Sequence, residues 1–194
     1  MKPENSEARW QVCGMRRRTA IELGLCLVLA PRVVRAQTDA KRERPREGDV
    51  LVAVDSARPE PLKPDDVPPN GKLTMAWPLD PTDNTVRDGS RLNKVLLLRL
   101  DPESLDPVTR DRAAEGVVAY SAICTHAGCD IIDWHPESQR LECPCHNSQF
   151  DAAAAAKVVG GPAPRSLPAL PLKIGDGRLV VAKPFTGRAG FQQV

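Results

Sequence analysis

The chain has 194 residues, with 27 Lys and Arg against 25 Asp and Glu, six cysteines, 19 prolines and seven aromatic residues. That length suits one domain, alone or behind a processed leader; a net charge of +2 spread over interspersed residues leaves no electrostatic footprint for nucleic acid, and 41% apolar content is too high for a chain disordered throughout. Proline at about twice its usual share favours loops and β-structure over a helical bundle, and no apolar run reaches the ~20 residues that cross a bilayer.

At the N-terminus, Met15-Arg16-Arg17-Arg18 leads into Thr19-Ala20-Ile21 and an apolar stretch to Ala30, then Pro31 and Val34-Arg35-Ala36. A basic region, a short apolar core and a small residue ahead of a cut after Ala36 read as an export signal over residues 1–36. The adjacent arginines before Thr-Ala-Ile resemble a twin-arginine leader, which sends proteins across already folded; Met15 is an alternative start. An uncleaved membrane anchor is the competing reading. Against it, Ile21 to Ala30 would span only about 15 Å as a helix, set against a hydrocarbon core of ~30 Å, and Glu22 lies inside it. The first 36 residues hold seven Lys and Arg, three Asp and Glu, and Cys13 and Cys26. Without them the balance is 20 basic to 22 acidic residues, and four cysteines remain: Cys124, Cys129, Cys143 and Cys145. An exported chain with an even cysteine count can hold disulfides.

Residues 37–48 are charged and lack apolar periodicity, which predicts a linker ahead of a domain over 49–194. From Asp49 onward short β-like runs alternate with turn signals. Asp49–Val54 and Lys72–Trp77 read as strands around a Pro-rich loop, and Asp80–Leu92 as polar and turn-rich. The segment between Ser56 and Asn93 is a long insert with no role legible in its residues. Lys94–Leu100 (KVLLLRL) is a fully apolar strand, Asp101–Glu115 a polar insert with room for a helical turn, and Gly116–Ile123 the next strand. Leu170–Ile174 and Arg178–Ala182 flank Gly175-Asp176-Gly177 as a hairpin. Ala152–Ala156 is the one low-complexity patch and reads as a loop or single turn. The pattern predicts an antiparallel all-β domain.

The chemistry concentrates in Cys124-Thr125-His126-Ala127-Gly128-Cys129 and, about twenty residues later, Cys143-Pro144-Cys145-His146-Asn147-Ser148. Each half offers one Cys and one His at close spacing plus a second, offset Cys. Short strands around Ile131–Trp134 and Gln139–Glu142 would let the halves face each other as loops. One alternative is a structural zinc site, although zinc fingers usually place both cysteines together and both histidines together. A second is a pair of ordinary disulfides beside idle histidines, which needs no such spacing. The third histidine, His135, reads as a solvated loop residue.

CTHAGC followed by CPCHNS, and then Gly160-Gly161-Pro162-Ala163-Pro164, resembles the Rieske iron–sulfur proteins, specifically their disulfide-bearing, high-potential type. The resemblance is strong from about Gly116 to Phe185 and looser from Asp49 to Glu115. It implies an antiparallel Rieske-type β-sandwich with a small cluster-binding subdomain at about 120–165, and one [2Fe–2S] cluster. Carried over, it implies that Cys124 and Cys143 bind one iron and His126 and His146 the other, while Cys129 and Cys145 form a disulfide that clamps the two loops. Neutral imidazoles in place of two thiolates reduce the cluster's negative charge and raise its potential. They also couple electrons to protons, because an imidazole on ferric iron loses its remaining proton more readily than one on ferrous iron. The clamp and the leader, read from different residues, both imply an oxidising compartment.

Ser148 matches the family serine that donates to a bridging sulfide. Phe150 stands where the highest-potential members carry a tyrosine, so it keeps the packing and lacks the donor. Asn147 replaces a usual glycine, which a left-handed backbone would permit. Ala127 replaces the leucine common at the docking tip of quinol-oxidising members. Gly161-Pro162-Ala163-Pro164 is expected to form a rigid loop over the cluster.

No feature suggests an independent active site: there is no Ser–His–Asp set, phosphate loop or second metal motif. The resemblance implies one-electron transfer by an exported, periplasmic protein, soluble or peripheral after cleavage. Its expected partners are a quinol or a partner oxidoreductase, such as a molybdenum enzyme's large subunit, and a c-type cytochrome. The alternative is the Rieske subunit of a membrane bc-type quinol–cytochrome c reductase, partnered by cytochrome b. A cytoplasmic dioxygenase ferredoxin fits poorly with the clamp and leader, and a cluster-free binding module fits poorly with four intact ligands.

Overall fold

A computed structural model describes residues 39–191. The expected leader over 1–36 and the cut after Ala36 lie outside the described residues. Within them no helix is long and apolar enough to cross a membrane.

Two antiparallel sheets make the domain. The larger contains β1 (Val50–Ala53), β2 (Thr74–Asp80), β3 (Thr85–Val86), β4 (Val95–Arg99), β5 (Val117–Ser121), β10 (Leu172–Gly175) and β11 (Arg178–Val181), in the order β10-β11-β1-β2-β4-β5 with β3 on β2. The smaller runs β6 (Asp133–His135), β7 (Arg140–Cys143), β8 (Ser148–Asp151) and β9 (Lys157–Gly160) as a meander. The larger sheet curls back on itself: the amides of Ser121 and Leu170 donate to the carbonyls of Pro168 and Ala119, joining β5 to the segment that enters β10.

Alternation along β4 and β5 explains their unbroken apolar composition. Val95 and Leu97, with Val117 and Ala119, face the inside of the curl, packing on Leu51, Ala76, Leu170, Leu179 and Val181. Leu96 and Leu98, with Val118 and Tyr120, face the other way and pack under the small sheet on Leu141, Phe150 and Ala152. Both faces are buried, so strands of period two read as continuous hydrophobic runs. Each such side chain contributes about 1.5–3 kcal/mol. Cys124 and Cys143 belong to the second cluster, so the small sheet's core also floors the thiol pair. The Tyr120 hydroxyl, its titration pushed up by burial, crosses from the large sheet to donate to the Ala152 carbonyl at 2.8 Å.

The chain differs from its sequence reading in several places. The second strand runs on to Asp80, and β3 interrupts the expected turn-rich stretch. β8 and β9 were not expected; both are four-residue strands next to glycine, proline or polyalanine, with too few residues to show a period. Ala152–Ala156 forms a turn with Ala155 and Ala156 at positive φ, fixed from outside: the Ala155 amide donates to Thr109 Oγ1 at 2.7 Å, and Ala156 accepts from Leu167. The expected helical turn is α1 (Pro107–Arg110), capped by Asp106, whose carboxylate accepts from the Thr109 amide. In the final hairpin, Asp176 and Gly177 both have positive φ, the two-residue turn that such strands favour.

Residues 39–48 are not a free linker. Arg87, with a side chain 1% exposed, donates to Asp49 through Nε and Nη2 (2.7 and 3.0 Å), to Asp80 at 2.9 Å and to Glu43 at 3.0 Å. Asn93 Nδ2 reaches the Glu43 carbonyl at 2.6 Å, and the Gly48 amide donates to Val181. A buried guanidinium is tolerated only with such acceptors, so the 80–93 part of the insert draws the preceding segment onto the large sheet.

Candidate metal centre

Two loops converge above the shared core. The first, 124–129, leaves the end of β5 on a short antiparallel stem: Ile123 pairs with Asp130, and the Ile131 amide donates to Ala122. The second, 143–148, is the turn between β7 and β8. They share one backbone plan. The Gly128 amide donates to the Cys124 carbonyl at 3.1 Å, and the Asn147 amide to the Cys143 carbonyl at 2.9 Å. Gly128 and Asn147 hold matching positions and both are left-handed, at φ 77° and 55°. Asn147 therefore takes the conformation expected of a glycine substitute, one that asparagine tolerates.

Cys124 and Cys143 are buried free thiols at the base of these loops. Burial pushes the Cys143 thiol up; the amides of Cys145 and His146, which donate to its sulfur, pull it down, and the neighbouring Cys124 thiol adds to the rise. The His126 amide points at the Cys124 sulfur at 3.5 Å. The two histidines lie farther out, their rings edge to face with centroids 4.6 Å apart. His126 is half-buried and His146 exposed. Cys129 and Cys145 form a disulfide joining the loops, and both its sulfurs lie within 4.8 Å of Cys143 Sγ. Two of those three sulfurs are thus already bonded to each other, so they brace the site and leave Cys143 as the donor.

Four buried side-chain polar atoms have no hydrogen-bond partner among the described residues: Asn93 Oδ1, Trp134 Nε1 and, one on each loop, His126 Nδ1 and Ser148 Oγ. Buried polar atoms without partners are costly, and a ring nitrogen on the first loop with a hydroxyl on the second suits a group that accepts a hydroxyl proton and binds a ring nitrogen. Two thiols, two imidazoles and a free hydroxyl fit an iron–sulfur cluster of mixed ligation. The Pro-rich loop closes over the second ligand loop. At Gly161, φ 77°, a Cβ would lie 2.5 Å from the Asn147 carbonyl oxygen and 2.6 Å from Ser148 Cα, a contact only glycine permits. Ala163 is buried, while Pro162 and Pro164 face outward. Phe150, fully buried on β8, packs in the cluster that includes both free thiols.

The Rieske [2Fe–2S] domain profile matches residues 96–171, which span β4 through both loops to the Pro-rich loop and beyond. A cytochrome bc1 complex Rieske iron–sulfur subunit of Streptomyces lividans is 38% identical over 133 residues, 67% of this chain and 76% of that one. This chain belongs to the Rieske [2Fe–2S] family. As a Rieske protein it carries one [2Fe–2S] cluster and transfers electrons. The Streptomyces coelicolor subunit of the same description is 38% identical over 67% of this chain, which spans only 37% of that relative's length. A putative respiratory nitrate reductase Rieske subunit of Haloferax mediterranei is 39% identical over 106 residues, 54% of this chain and 47% of that one.

The structure sets His126 against His146, places Cys124 beside Cys143 in the buried core and joins Cys129 to Cys145. Sequence reasoning missed what surrounds them. Thr125, 1% exposed, donates to the Arg165 carbonyl at 2.6 Å. Asp130, next to the disulfide, accepts from Lys94 at 2.8 Å and from Arg91. Those partners are 36 to 40 residues away, and nothing local in the sequence signals them. His135 is exposed, as expected, and pairs with Glu142 at 3.2 Å across β6 and β7.

Proposed function

We propose that the chain is an exported one-electron carrier taking electrons from a quinol or a partner oxidoreductase to a c-type cytochrome, with Cys124 and Cys143 holding one iron of its cluster and His126 and His146 the other. The observation that carries this reading is the layering of donors: free thiols buried at the base, imidazoles edge to face above them, and His126 Nδ1 buried without a partner. When bound, the cluster accepts and releases one electron. The protein's residues do the rest. With its Nδ1 buried, His126 has Nε2 left to hold or release a proton, and the exposed His146 stands where a partner can approach. Ser148 Oγ supplies a buried hydroxyl donor, the Cys129–Cys145 disulfide keeps the two loops in register, and the Gly161–Pro164 loop limits water.

The identity to bc1 Rieske subunits favours a second reading, a subunit of a membrane quinol–cytochrome c reductase; the nitrate reductase relative favours a partner oxidoreductase. Intact mass, N-terminal sequencing and identification of co-purifying proteins from periplasmic and membrane fractions separate them. A soluble form beginning near Gln37 with an oxidoreductase companion is the expected result. An uncleaved form held with a b-type cytochrome establishes the second reading. Protein without iron or acid-labile sulfide after anaerobic reconstitution rules out both.

A further inference from the structure

The two cluster loops are held differently. In the second loop Pro144, Cys145, His146 and Asn147 are all exposed. The first is gripped from outside by two distant segments. Thr125, between Cys124 and His126, donates its hydroxyl to the carbonyl of Arg165, just beyond the Pro-rich loop. The Arg165 guanidinium donates to the carbonyl of Gly190. Gly190 is buried and left-handed, a backbone that favours glycine, and a Cβ there would lie 2.9 Å from the end of the Leu92 side chain. The next residue, Phe191, lays its ring on Gly128: a Cβ at Gly128 would sit 3.0 Å from Phe191 Cδ1. Ala189, 2% exposed, roots the tail in the body.

These contacts form one chain of support, from Thr125 to Arg165 to Gly190, returning through Phe191 to Gly128. The disulfide ties the first loop to the second, whose tip is exposed. Apart from the Lys94 and Arg91 bridges to Asp130 at its far end, these contacts connect the His126 loop to the body on its outer side. We propose that Arg165 and the C-terminal segment through Phe191 form a non-covalent clasp on the first cluster loop, Arg165 and Phe191 being positioning residues that keep His126 at the cluster. The proposal rests on His126 being a ligand. Thr125 anchors the backbone between the two proposed ligands of its loop. Phe191 covers the one face of that loop that has no side chain of its own and so excludes water there. Loosening either contact raises the fraction of time the loop opens, and the imidazole leaves with it.

The test uses the full chain and four variants: Arg165→Met, Arg165→Lys, Thr125→Val and Phe191→Ala. After anaerobic reconstitution, each is assayed for iron and sulfide, for the EPR line shape of the reduced protein, and for the rate of bleaching by an iron chelator. The clasp predicts parental loading in all, with bleaching about tenfold faster in Arg165→Met and Thr125→Val, the effect of roughly one lost hydrogen bond. It also predicts broadened EPR lines in those variants and in Phe191→Ala, and partial return to the parental values in Arg165→Lys. Parental bleaching rates and line shapes in both Arg165→Met and Phe191→Ala overturn the clasp, even if their melting temperatures fall, because the residues then serve the fold alone. Phe191, half-exposed, keeps the test informative should Arg165→Met fail to fold. A parent protein that takes up no iron overturns the ligand reading, and the clasp with it.

Discussion

Phe150 and Gly161 both flank the second loop. Phe150, with no exposed surface, shares a buried cluster with the two thiols. A hydroxyl added to its ring would be buried, and on the proposed ligation the acceptors that suit it are the sulfurs of Cys124 and Cys143, so Phe150→Tyr is expected to raise the midpoint potential by stabilising the reduced state. Potentiometric titration checks this, and an unchanged potential would sink the placement of Phe150 beside a ligand sulfur. Gly161 guards the roof. Alanine there meets backbone atoms of Asn147 and Ser148, which no rotamer relieves, in a left-handed conformation. Gly161→Ala should cost about 2 kcal/mol or more and loosen the Pro-rich loop; a parental melting temperature would show that the loop shifts freely. Both positions were legible in the motif. Asn147 was too, because its left-handed fit follows from its residue type and its place in the turn. Thr125, Arg165 and Phe191 were not: their roles depend on contacts with segments far along the chain, and hydroxyl, guanidinium and ring carry no periodicity.

At the scale of elements, the first loop is held by charge as well as by the tail. Asp130 follows the disulfide and accepts from Lys94 and Arg91. Burial, the largest influence, pushes its carboxyl up, but the two cations together outweigh it and hold the group below the usual carboxylate range. A depressed folded-state pKa adds stability that is complete above the unfolded value of about 4 and is lost as the pH falls through the folded one. Asp130→Asn should therefore lower the thermal midpoint at pH 7, with a stability loss of no more than about 1 kcal/mol since the bridges are partly exposed and screened. That gap should close as the pH drops toward 3; a gap independent of pH assigns the loss to packing. Strand reading was best where both faces are buried, at β4 and β5, and where turn chemistry is explicit, at Asp176-Gly177. It failed at β8 and β9, whose four residues each carry no usable period, and at residues 39–48, whose charges looked solvated but serve the buried Arg87. A charged segment looks the same in sequence whether it meets water or a buried guanidinium.

For the whole molecule, the division of labour is between a curled sheet that supplies rigidity and a four-stranded meander that presents two loops. Leu96, Leu98, Val118 and Tyr120 on one side and Leu141 and Phe150 on the other make the cluster floor continuous with the body. On the proposed ligation the reactive edge is the imidazole pair. Mixed ligation at that edge is best tested by the pH dependence of the midpoint potential, measured together with nitrogen couplings in pulsed EPR of the reduced protein. Imidazole ligation gives couplings to two imidazole nitrogens and a potential that falls with rising pH once the ligand imidazoles of the oxidised protein deprotonate. A potential flat from neutral to strongly alkaline pH, with no imidazole coupling, would contradict it.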